Sequence, residues 1–98
     1  VPMKAVLLYD SAEDVMTTAP VHFPAHKARI DEFQARGILE AIGPFADPRQ
    51  GAMGIFASRE AAEEFLAGDP FVLEGVVVGH RILDWLGETP TPRSLGGD

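Results

Sequence analysis

Two side chains that can transfer protons, His26 and Asp69, lie far apart in the chain, each beside one end of a helical pattern. His26 follows Pro24 at the start of the first pattern, and Asp69 follows Gly68 at the end of the second. Partial burial and the positive end of a helix dipole both disfavour a charged imidazole. We therefore expect His26 to be uncharged at neutral pH, which is the form that a general base needs.

Each of these residues also fits an ordinary structural role. His26 lies on an apolar stripe that continues through Ile30 and Phe33, so a core histidine bonded to a backbone carbonyl is one alternative. Asp69 directly precedes Pro70, which is typical of an N-cap that opens a one-turn helix. Capping needs only one carboxylate oxygen, so the other can orient an imidazole and fix its tautomer. A working pair must lie within about 2.6–3.2 Å or share one water.

The other two histidines give weaker signals. His22 and His26 have the i, i+4 spacing that presents two side chains to one metal ion on a continuous helix. Pro24 lies between them and no third ligand is evident, so no metal site is predicted. His80 lies inside the last strand, where it either lines a cavity on the sheet or makes a cross-strand hydrogen bond. Ser58 is predicted to cap a helix, and the dispersed glycines form no nucleotide-binding motif, so no cofactor is expected.

The composition argues against several classes of protein. The 98 residues suffice for one domain, and the net charge of −7 argues against binding to nucleic acid. The chain contains no cysteine, so it has no disulfide, thiolate metal ligand or cysteine nucleophile. No apolar run approaches the roughly 20 residues of a membrane span, and no signal-peptide pattern is evident. We therefore expect a soluble, cytoplasmic protein without a membrane partner.

The apolar patterns predict four strands and two helices. The strands are expected at residues 4–9, 38–45, 53–57 and 75–86, and a loop at residues 10–18. One helix is expected to open near Pro20 and Pro24 and to end at Gly37, and the other to follow Ser58 and end at Gly68. The order strand-helix-strand-strand-helix-strand (βαββαβ) is the ferredoxin-like plan of an α+β fold. In this plan two helices cover one face of a four-stranded antiparallel sheet.

The second face of the sheet leads to a prediction about assembly. An exposed face of an antiparallel sheet should alternate polar and apolar residues, but strands one and four do not, most clearly at Val76, Val77 and Val78. Two subunits that pack their sheets face to face explain this pattern, so we predict a homodimer. The alternative is that short strands mislead a pattern count. Residues 3–87 are expected to form the domain, and residues 88–98 a flexible C-terminal tail.

Several short motifs occur in an order that resembles a known family. They are Pro24-Ala25-His26, Arg36-Gly37-Ile38-Leu39, Ala41-Ile42-Gly43-Pro44-Phe45, Ser58-Arg59-Glu60-Ala61-Ala62, Asp69-Pro70-Phe71-Val72 and Gly75-Val76-Val77. The order and spacing of these motifs resemble those of the YciI-like (YCII-related) family over almost the whole domain. The resemblance implies a dimeric α+β barrel, similar in architecture to muconolactone isomerases. It also implies that His26 and Asp69 are the pair taken as the family's active site, but it does not indicate a substrate.

Two functional hypotheses stay open. In the first, the dimer is a cofactor-free enzyme that binds a small cyclic or aromatic molecule in a pocket between the first helix and the sheet. His26 acts as general base or acid and Asp69 orients it, so that proton transfer leads to elimination, isomerisation or hydrolysis. In the second, the pocket only binds a metabolite, or the domain is an accessory module without chemistry. In either case Arg29, Arg49 or Arg81 can anchor an anionic group.

Overall fold

The apolar segments of the sequence form a sheet covered by helices. The computed structural model describes residues 3–87; residues 1–2 and 88–98, which include the predicted flexible tail, lie outside the described residues. The strands are β1 (Lys4–Ser11), β2 (Leu39–Pro44), β3 (Ala52–Phe56) and β4 (Val77–Trp85). The helices are α1 (Val15–Ala35), α2 (Arg59–Gly68) and the one-turn α3 (Pro70–Leu73), with a 3-10 turn at Pro48–Gln50. Among the helices of this described part, none is both long and apolar enough to cross a membrane.

The sheet has the strand order β2-β3-β1-β4, and each neighbouring pair is antiparallel. β1 is a central strand, since its Leu7 lies opposite Gly54 of β3 on one side and Ile82 of β4 on the other. β2 and β3 form the predicted hairpin. The ferredoxin-like α+β fold predicted from the sequence is therefore confirmed, with strand ends that differ from the prediction by one or two residues.

β1 buries every second residue. Ala5, Leu7 and Tyr9 are buried on the face that the helices cover. Val6 and Leu8 point to the opposite face and are only half-buried. A single chain therefore covers one face of the sheet, whereas the pattern of β1 predicts burial of both.

Three phenylalanines join the helices to the sheet. Phe33 of α1, Phe56 of β3 and Phe65 of α2 are all fully buried. Phe65 lies edge-on to Phe33 and tilted against Phe56, with 5.2 Å between the ring centroids in each pair. Aromatic pairs of this kind contribute about 0.5–1.5 kcal/mol beyond the area that they bury. The cluster holds α1 and α2 against the same face of the sheet.

The first helix begins before both of its prolines. The loop predicted for residues 10–18 is wrong, because β1 continues to Ser11 and α1 begins at Val15. Pro20 and Pro24 consequently lie inside α1 and not in its first turn. A proline has no N–H and leaves the carbonyl four residues earlier without its helical partner. Packing of the buried Val15 offsets part of that loss. Local helix propensity does not include such packing.

The early start of α1 changes the surroundings of His26. This residue lies about three turns into the helix instead of at its beginning. The partial charge at a helix N-terminus acts within the first turn only. The prediction that the helix dipole acts on His26 is therefore wrong. The electrostatic partner of the imidazole must therefore come from another element.

A glycine brings the turn before β3 against the end of β1. Gly51 has a φ of +107°, and a Cβ atom at this position would overlap the carbonyl oxygen of Tyr9. On the same side, the Oγ of Ser11 donates a hydrogen bond of 2.6 Å to the carbonyl of Pro48. These contacts tie the end of β1 to the 3-10 turn.

Candidate active site

Asp69 lies where the chain turns from α2 into α3. Its backbone is extended, with φ −70° and ψ 120°, as expected for a residue before proline, and Pro70 begins α3. The Oδ1 atom accepts a hydrogen bond of 3.1 Å from the backbone N–H of Phe71. The predicted N-cap is therefore confirmed, and it fixes the direction of the carboxylate. The side chain is fully buried.

His26 reaches this carboxylate from α1. Its Nδ1 atom lies 2.6 Å from Oδ1 of Asp69. Helical spacing accounts for its direction, since His26, Ile30 and Phe33 occupy the buried face of α1. The predicted contact between His26 and Asp69 is confirmed. His26 makes it from a middle turn of α1, which packs on α3, and not from the start of a helix.

A third side chain, Tyr9 of β1, completes the contacts of the carboxylate. Its hydroxyl donates a hydrogen bond of 2.6 Å to Oδ2 of Asp69. Burial, reinforced by the negative charge of Asp69, raises the pKa of Tyr9 far above its ordinary value, so the phenol keeps its proton.

Reasoning from the sequence missed Tyr9. One signal was available: a buried tyrosine needs a partner for its hydroxyl, and Tyr9 ends the continuous apolar run of β1. Strand periodicity predicts which face a residue occupies, but it does not predict which helix turn lies above that face.

Three donors surround Asp69, an arrangement that suits an ionised carboxylate. Oδ1 accepts from the Phe71 N–H and faces Nδ1 of His26, while Oδ2 accepts from Tyr9. An ionised carboxylate only accepts hydrogen bonds, so Nδ1 then donates and Nε2 carries the lone pair. Within residues 3–87 the hydrogen bond of the His26 ring is the one that Nδ1 makes to Asp69, which leaves Nε2 without a partner in this range.

Aromatic rings hold the imidazole of His26 in one orientation. Phe71 lies parallel to it, with 3.8 Å between the ring centroids and 2° between the planes. Phe65 meets it edge-on at 6.1 Å, and Phe23 is tilted against it at 6.2 Å. The ring cannot turn away from Asp69 without displacing at least one of these neighbours.

His26 lines a cavity of about 810 Å³ between α1 and the sheet. The cavity lies where the sequence predicts a pocket. Its walls are mainly aliphatic and aromatic, and its polar lining residues are Tyr9, Ser11, His26, Lys27 and Gln34. No aspartate or glutamate of residues 3–87 lines it. Such a cavity suits an apolar ring that carries a few polar groups.

The other two histidines lie away from this cavity. His22 is half-buried on α1 and His80 is exposed on β4, and neither lines the cavity walls. In the part of the chain that the structure describes, no group of three His, Cys, Asp or Glu side chains could hold a metal ion.

The three arginines considered as anchors lie elsewhere as well. Arg29 donates to two backbone carbonyls near the end of α2. Arg49 pairs with Asp47, and Arg81 is exposed on β4. Among the described residues, the lysine that lines the cavity is Lys27, and its Nζ is paired with Asp31. Within this part of the chain an anionic substituent would therefore meet no arginine, and a lysine that already has a carboxylate partner.

Two solved structures are similar to this chain to different degrees. A structure of 5-chloro-2-hydroxyhydroquinone dehydrochlorinase (TftG) from Burkholderia phenoliruptrix, in complex with 2,5-dihydroxybenzoquinone, is similar with a TM-score of 0.69. The two chains are 17% identical, and the similarity covers 84% of this chain and 92% of that one. A solution structure of a hypothetical Arabidopsis thaliana protein is similar with a TM-score of 0.48 and 18% identity, over 92% of this chain and 91% of that chain. At 17% identity, the similarity to TftG shows that the two chains share a fold.

The comparison with protein families identifies a family for this chain. No curated protein matches the chain. The family description that matches is the YCII-related domain, over residues 3–86 and therefore over nearly all of the described fold. The chain thus belongs to the YCII-related domain family, as the motifs around His26 and Asp69 predict.

Proposed function

We propose that this protein is an enzyme that needs no cofactor and transfers protons on a small ring-containing molecule, with His26 as general base and acid. The observation that carries the proposal is the buried 2.6 Å contact between His26 Nδ1 and Asp69 Oδ1 on the wall of an apolar cavity. A histidine that only packs needs neither a buried carboxylate nor a ring edge open to a cavity. General acid–base catalysis uses both.

In this proposal the two residues have different roles. Asp69 accepts from Nδ1–H and so orients the ring, which leaves Nε2 to act as the base on the cavity side. When Nε2 takes a proton, the adjacent carboxylate stabilises the imidazolium that forms. The same proton is then available to another atom of the substrate.

The cavity and the similar structure support one class of substrate. The walls are mainly apolar, and no acidic residue of the described part of the chain lines them, so a neutral or anionic ring fits better than a cation. TftG, which has a similar fold, is a dehydrochlorinase in complex with 2,5-dihydroxybenzoquinone. We therefore propose a halogenated ring with several hydroxyl groups as the substrate, and loss of hydrogen halide as the reaction.

Proton transfers alone account for this reaction. Two ring hydroxyls lose their protons, of which one moves to the carbon that bears the halogen and the other leaves with the halide. The carbon–halogen bond breaks, its electron pair departs with the halide, and the ring becomes a quinone. The net change is the loss of one hydrogen halide, so neither an oxidant nor a reductant is needed. A single residue that alternates between base and acid, as proposed for His26, can serve both proton transfers.

Turnover of 5-chloro-2-hydroxyhydroquinone tests this proposal, followed by chloride release and quinone absorbance above the uncatalysed rate. The wild-type protein should release one chloride per quinone, and His26→Gln should lower kcat by about 10²–10⁴-fold. His80→Gln is the matched control, because it removes an exposed histidine outside the cavity and should leave kcat unchanged. If the wild-type protein has no activity on this compound or on related halogenated rings, or if His26→Gln is equally fast, the proposal is wrong. The chain is then better described as a binding or accessory domain.

We also propose that the open face of the sheet forms a homodimer interface. Val6 of β1 lies between Ile55 of β3 and Leu83 of β4, and Leu83 is 46% exposed. An apolar surface that extends over three strands is typical of an interface. Light scattering should give about twice the chain mass of 10.5 kDa, and Leu83→Asp should give the mass of one chain. A wild-type mass near 10.5 kDa would contradict this part of the proposal.

A further inference from the structure

We infer that Tyr9 is a positioning residue: by donating to Asp69 it keeps the carboxylate ionised, and so holds the His26 proton on Nδ1 and the lone pair on Nε2. This inference rests on the proposed function of His26. The observation behind it is a continuous chain of hydrogen bonds, from the Tyr9 hydroxyl to Oδ2 of Asp69 and from Oδ1 to Nδ1 of His26, both of 2.6 Å. All three side chains are buried, and the chain of bonds ends at the cavity.

An uncharged His26 can bond to Asp69 in two ways. In one, the carboxylate is ionised, Nδ1 donates to it and Nε2 has a free lone pair. In the other, the carboxyl group is protonated and donates to Nδ1, so the imidazole hydrogen is on Nε2. Only the first arrangement presents a base to the cavity. The protonation of Asp69 therefore decides whether His26 can begin the proposed reaction.

Burial alone favours the second arrangement, in which the carboxyl group of Asp69 is protonated. Asp69 is fully buried, and a carboxyl group removed from water favours its uncharged form. Hydrogen bonds donated to the carboxylate act in the opposite direction. Two donors besides His26 supply them: the Phe71 backbone N–H to Oδ1 and the Tyr9 hydroxyl to Oδ2. The Phe71 N–H is part of the α3 cap, so Tyr9 is the side chain, besides His26, that donates a hydrogen bond to the carboxylate.

The direction of the Tyr9 hydrogen bond follows from its surroundings. Within residues 3–87 the hydroxyl has a single hydrogen-bond partner, Oδ2 of Asp69. If Oδ2 carried a proton and donated it to Tyr9, the phenolic hydrogen would lose that acceptor, at a cost of about 1–3 kcal/mol when buried. Burial also keeps the phenol protonated, because it raises the pKa of Tyr9. Tyr9 is therefore the donor and Oδ2 the acceptor.

The experiment uses the resting protein with ¹⁵N-labelled histidine, in which long-range proton–nitrogen correlation spectra distinguish the two tautomers. The wild-type spectrum should show His26 protonated on Nδ1 and unprotonated on Nε2. In Tyr9→Phe the carboxylate loses a donor, and the His26 pattern should change to mainly Nε2-protonated. Ser11→Ala is the matched control, since it removes a hydroxyl that lies on the same strand, lines the same cavity and bonds to a backbone carbonyl. Ser11→Ala should keep the wild-type pattern.

Two results overturn the inference. One is a folded Tyr9→Phe protein with the wild-type His26 pattern, which would show that Tyr9 does not set the tautomer. The other is an equal change in Ser11→Ala, which would show that any disturbance of β1 has this effect.

A second form of the experiment covers the case in which Tyr9→Phe does not fold. Tyr9 is the only tyrosine of the chain, so growth on 3-fluorotyrosine modifies this position alone. Fluorination makes the phenol a stronger donor and preserves its shape. A stronger bond to Oδ2 withdraws charge from Oδ1, so the Nδ1 proton resonance of His26 should move upfield. An unchanged Nδ1 proton resonance would overturn the inference.

The outcomes also separate this inference from the proposed function. If turnover depends on His26 but Tyr9→Phe leaves the tautomer unchanged, only the positioning role of Tyr9 is wrong. If the tautomer changes but the wild-type protein shows no turnover, the proposed function is wrong and the positioning role stands. If both hold, Tyr9→Phe should lower kcat by a larger factor than it raises KM, because the bound substrate meets a population of His26 that lacks the free lone pair.

Discussion

The imidazole of His26 and the ring of Phe71 stack in parallel, with 3.8 Å between their centroids and 2° between their planes. Asp69 connects the two residues, because its Oδ1 accepts from the Phe71 backbone N–H and faces Nδ1 of His26. The cap of α3 therefore brings together the carboxylate and the ring that supports the imidazole. A short Asp-Pro-Phe segment builds half of the site.

Phe71→Leu should weaken this arrangement without removing the cap. The leucine keeps an apolar side chain over the imidazole but loses the parallel stack, so His26 becomes less ordered and kcat should fall. Loss of the stacking contact should also reduce the free energy of unfolding by about 0.5–1.5 kcal/mol in a denaturant titration. Leu73→Ala, in the same one-turn helix but 64% exposed, is the control and should change neither quantity by as much. Equal losses in both variants would contradict a specific role for the stack.

The raised pKa of Tyr9 predicts a loss of stability at alkaline pH. In the unfolded chain the phenol has its ordinary pKa of about 10, whereas in the folded chain burial and Asp69 raise the pKa of Tyr9 well above that value. The stabilisation is complete below pH 10 and declines as the pH rises, by about 1.4 kcal/mol per pH unit, because only the unfolded state releases the proton.

Urea titrations at several pH values measure this effect, with tyrosinate absorbance recorded in parallel. The difference between wild type and Tyr9→Phe isolates the contribution of Tyr9 from that of the lysines. Tyrosinate should form only as the protein unfolds, and the stability difference should depend on pH above about 10. Tyrosinate formation in the folded protein near its ordinary pKa would contradict the burial of this hydroxyl.

Asp69→Asn separates catalysis from capping. Asparagine caps a helix about as well as aspartate, but it cannot carry the charge that stabilises the imidazolium. We expect kcat for the proposed substrate to fall by about 10²–10⁴-fold while the protein stays folded. Asp47→Asn is the matched control, because Asp47 is a half-buried N-cap outside the cavity whose side chain accepts from the Arg49 backbone N–H. If both variants keep wild-type activity, Asp69 acts only as a cap.

The sequence predicted the pair at the centre of the site because each residue has a strong local signal. Helical spacing places His26 on the buried face of α1, and Asp69 before Pro70 predicts a cap. Tyr9 was missed because its contact with Asp69 joins segments that are distant in the chain. The local pattern of either segment does not indicate that the other lies beside it.

The start of α1 could not be predicted for a related reason. Pro20 and Pro24 have a strong local preference for the first turn of a helix, whereas in the folded protein Val15 is buried and the helix extends over the cavity. Packing of one element on another decided the boundary, and it does not appear in local sequence patterns. The ferredoxin-like plan, by contrast, could be predicted from the order of the strands and helices along the chain alone.

The prolines inside α1 predict a stabilising substitution. Pro24→Ala restores a backbone N–H in the middle of the helix, so the free energy of unfolding should increase, by about 1–3 kcal/mol, in a denaturant titration. Pro48→Ala is the control, because Pro48 begins a 3-10 turn, where a proline fits without loss. A destabilised Pro24→Ala protein would show that the proline ring itself contributes packing at this place.

The central claim is that Nε2 of His26 exchanges protons with a molecule bound in the cavity. The most direct test is a titration of ¹⁵N-histidine-labelled protein with 2,5-dihydroxybenzoquinone, the compound in the TftG structure, with binding followed independently by absorbance. The hydroxyl groups of this compound are vinylogous acids and are ionised at neutral pH, so the bound anion should favour the imidazolium, which takes its proton from water. As the ligand saturates the protein, Nε2 of His26 should change from its unprotonated to its protonated resonance, while His22 and His80 stay unchanged. If saturating ligand leaves the His26 resonances as they are in the free protein, or if the compound does not bind, the claim is contradicted.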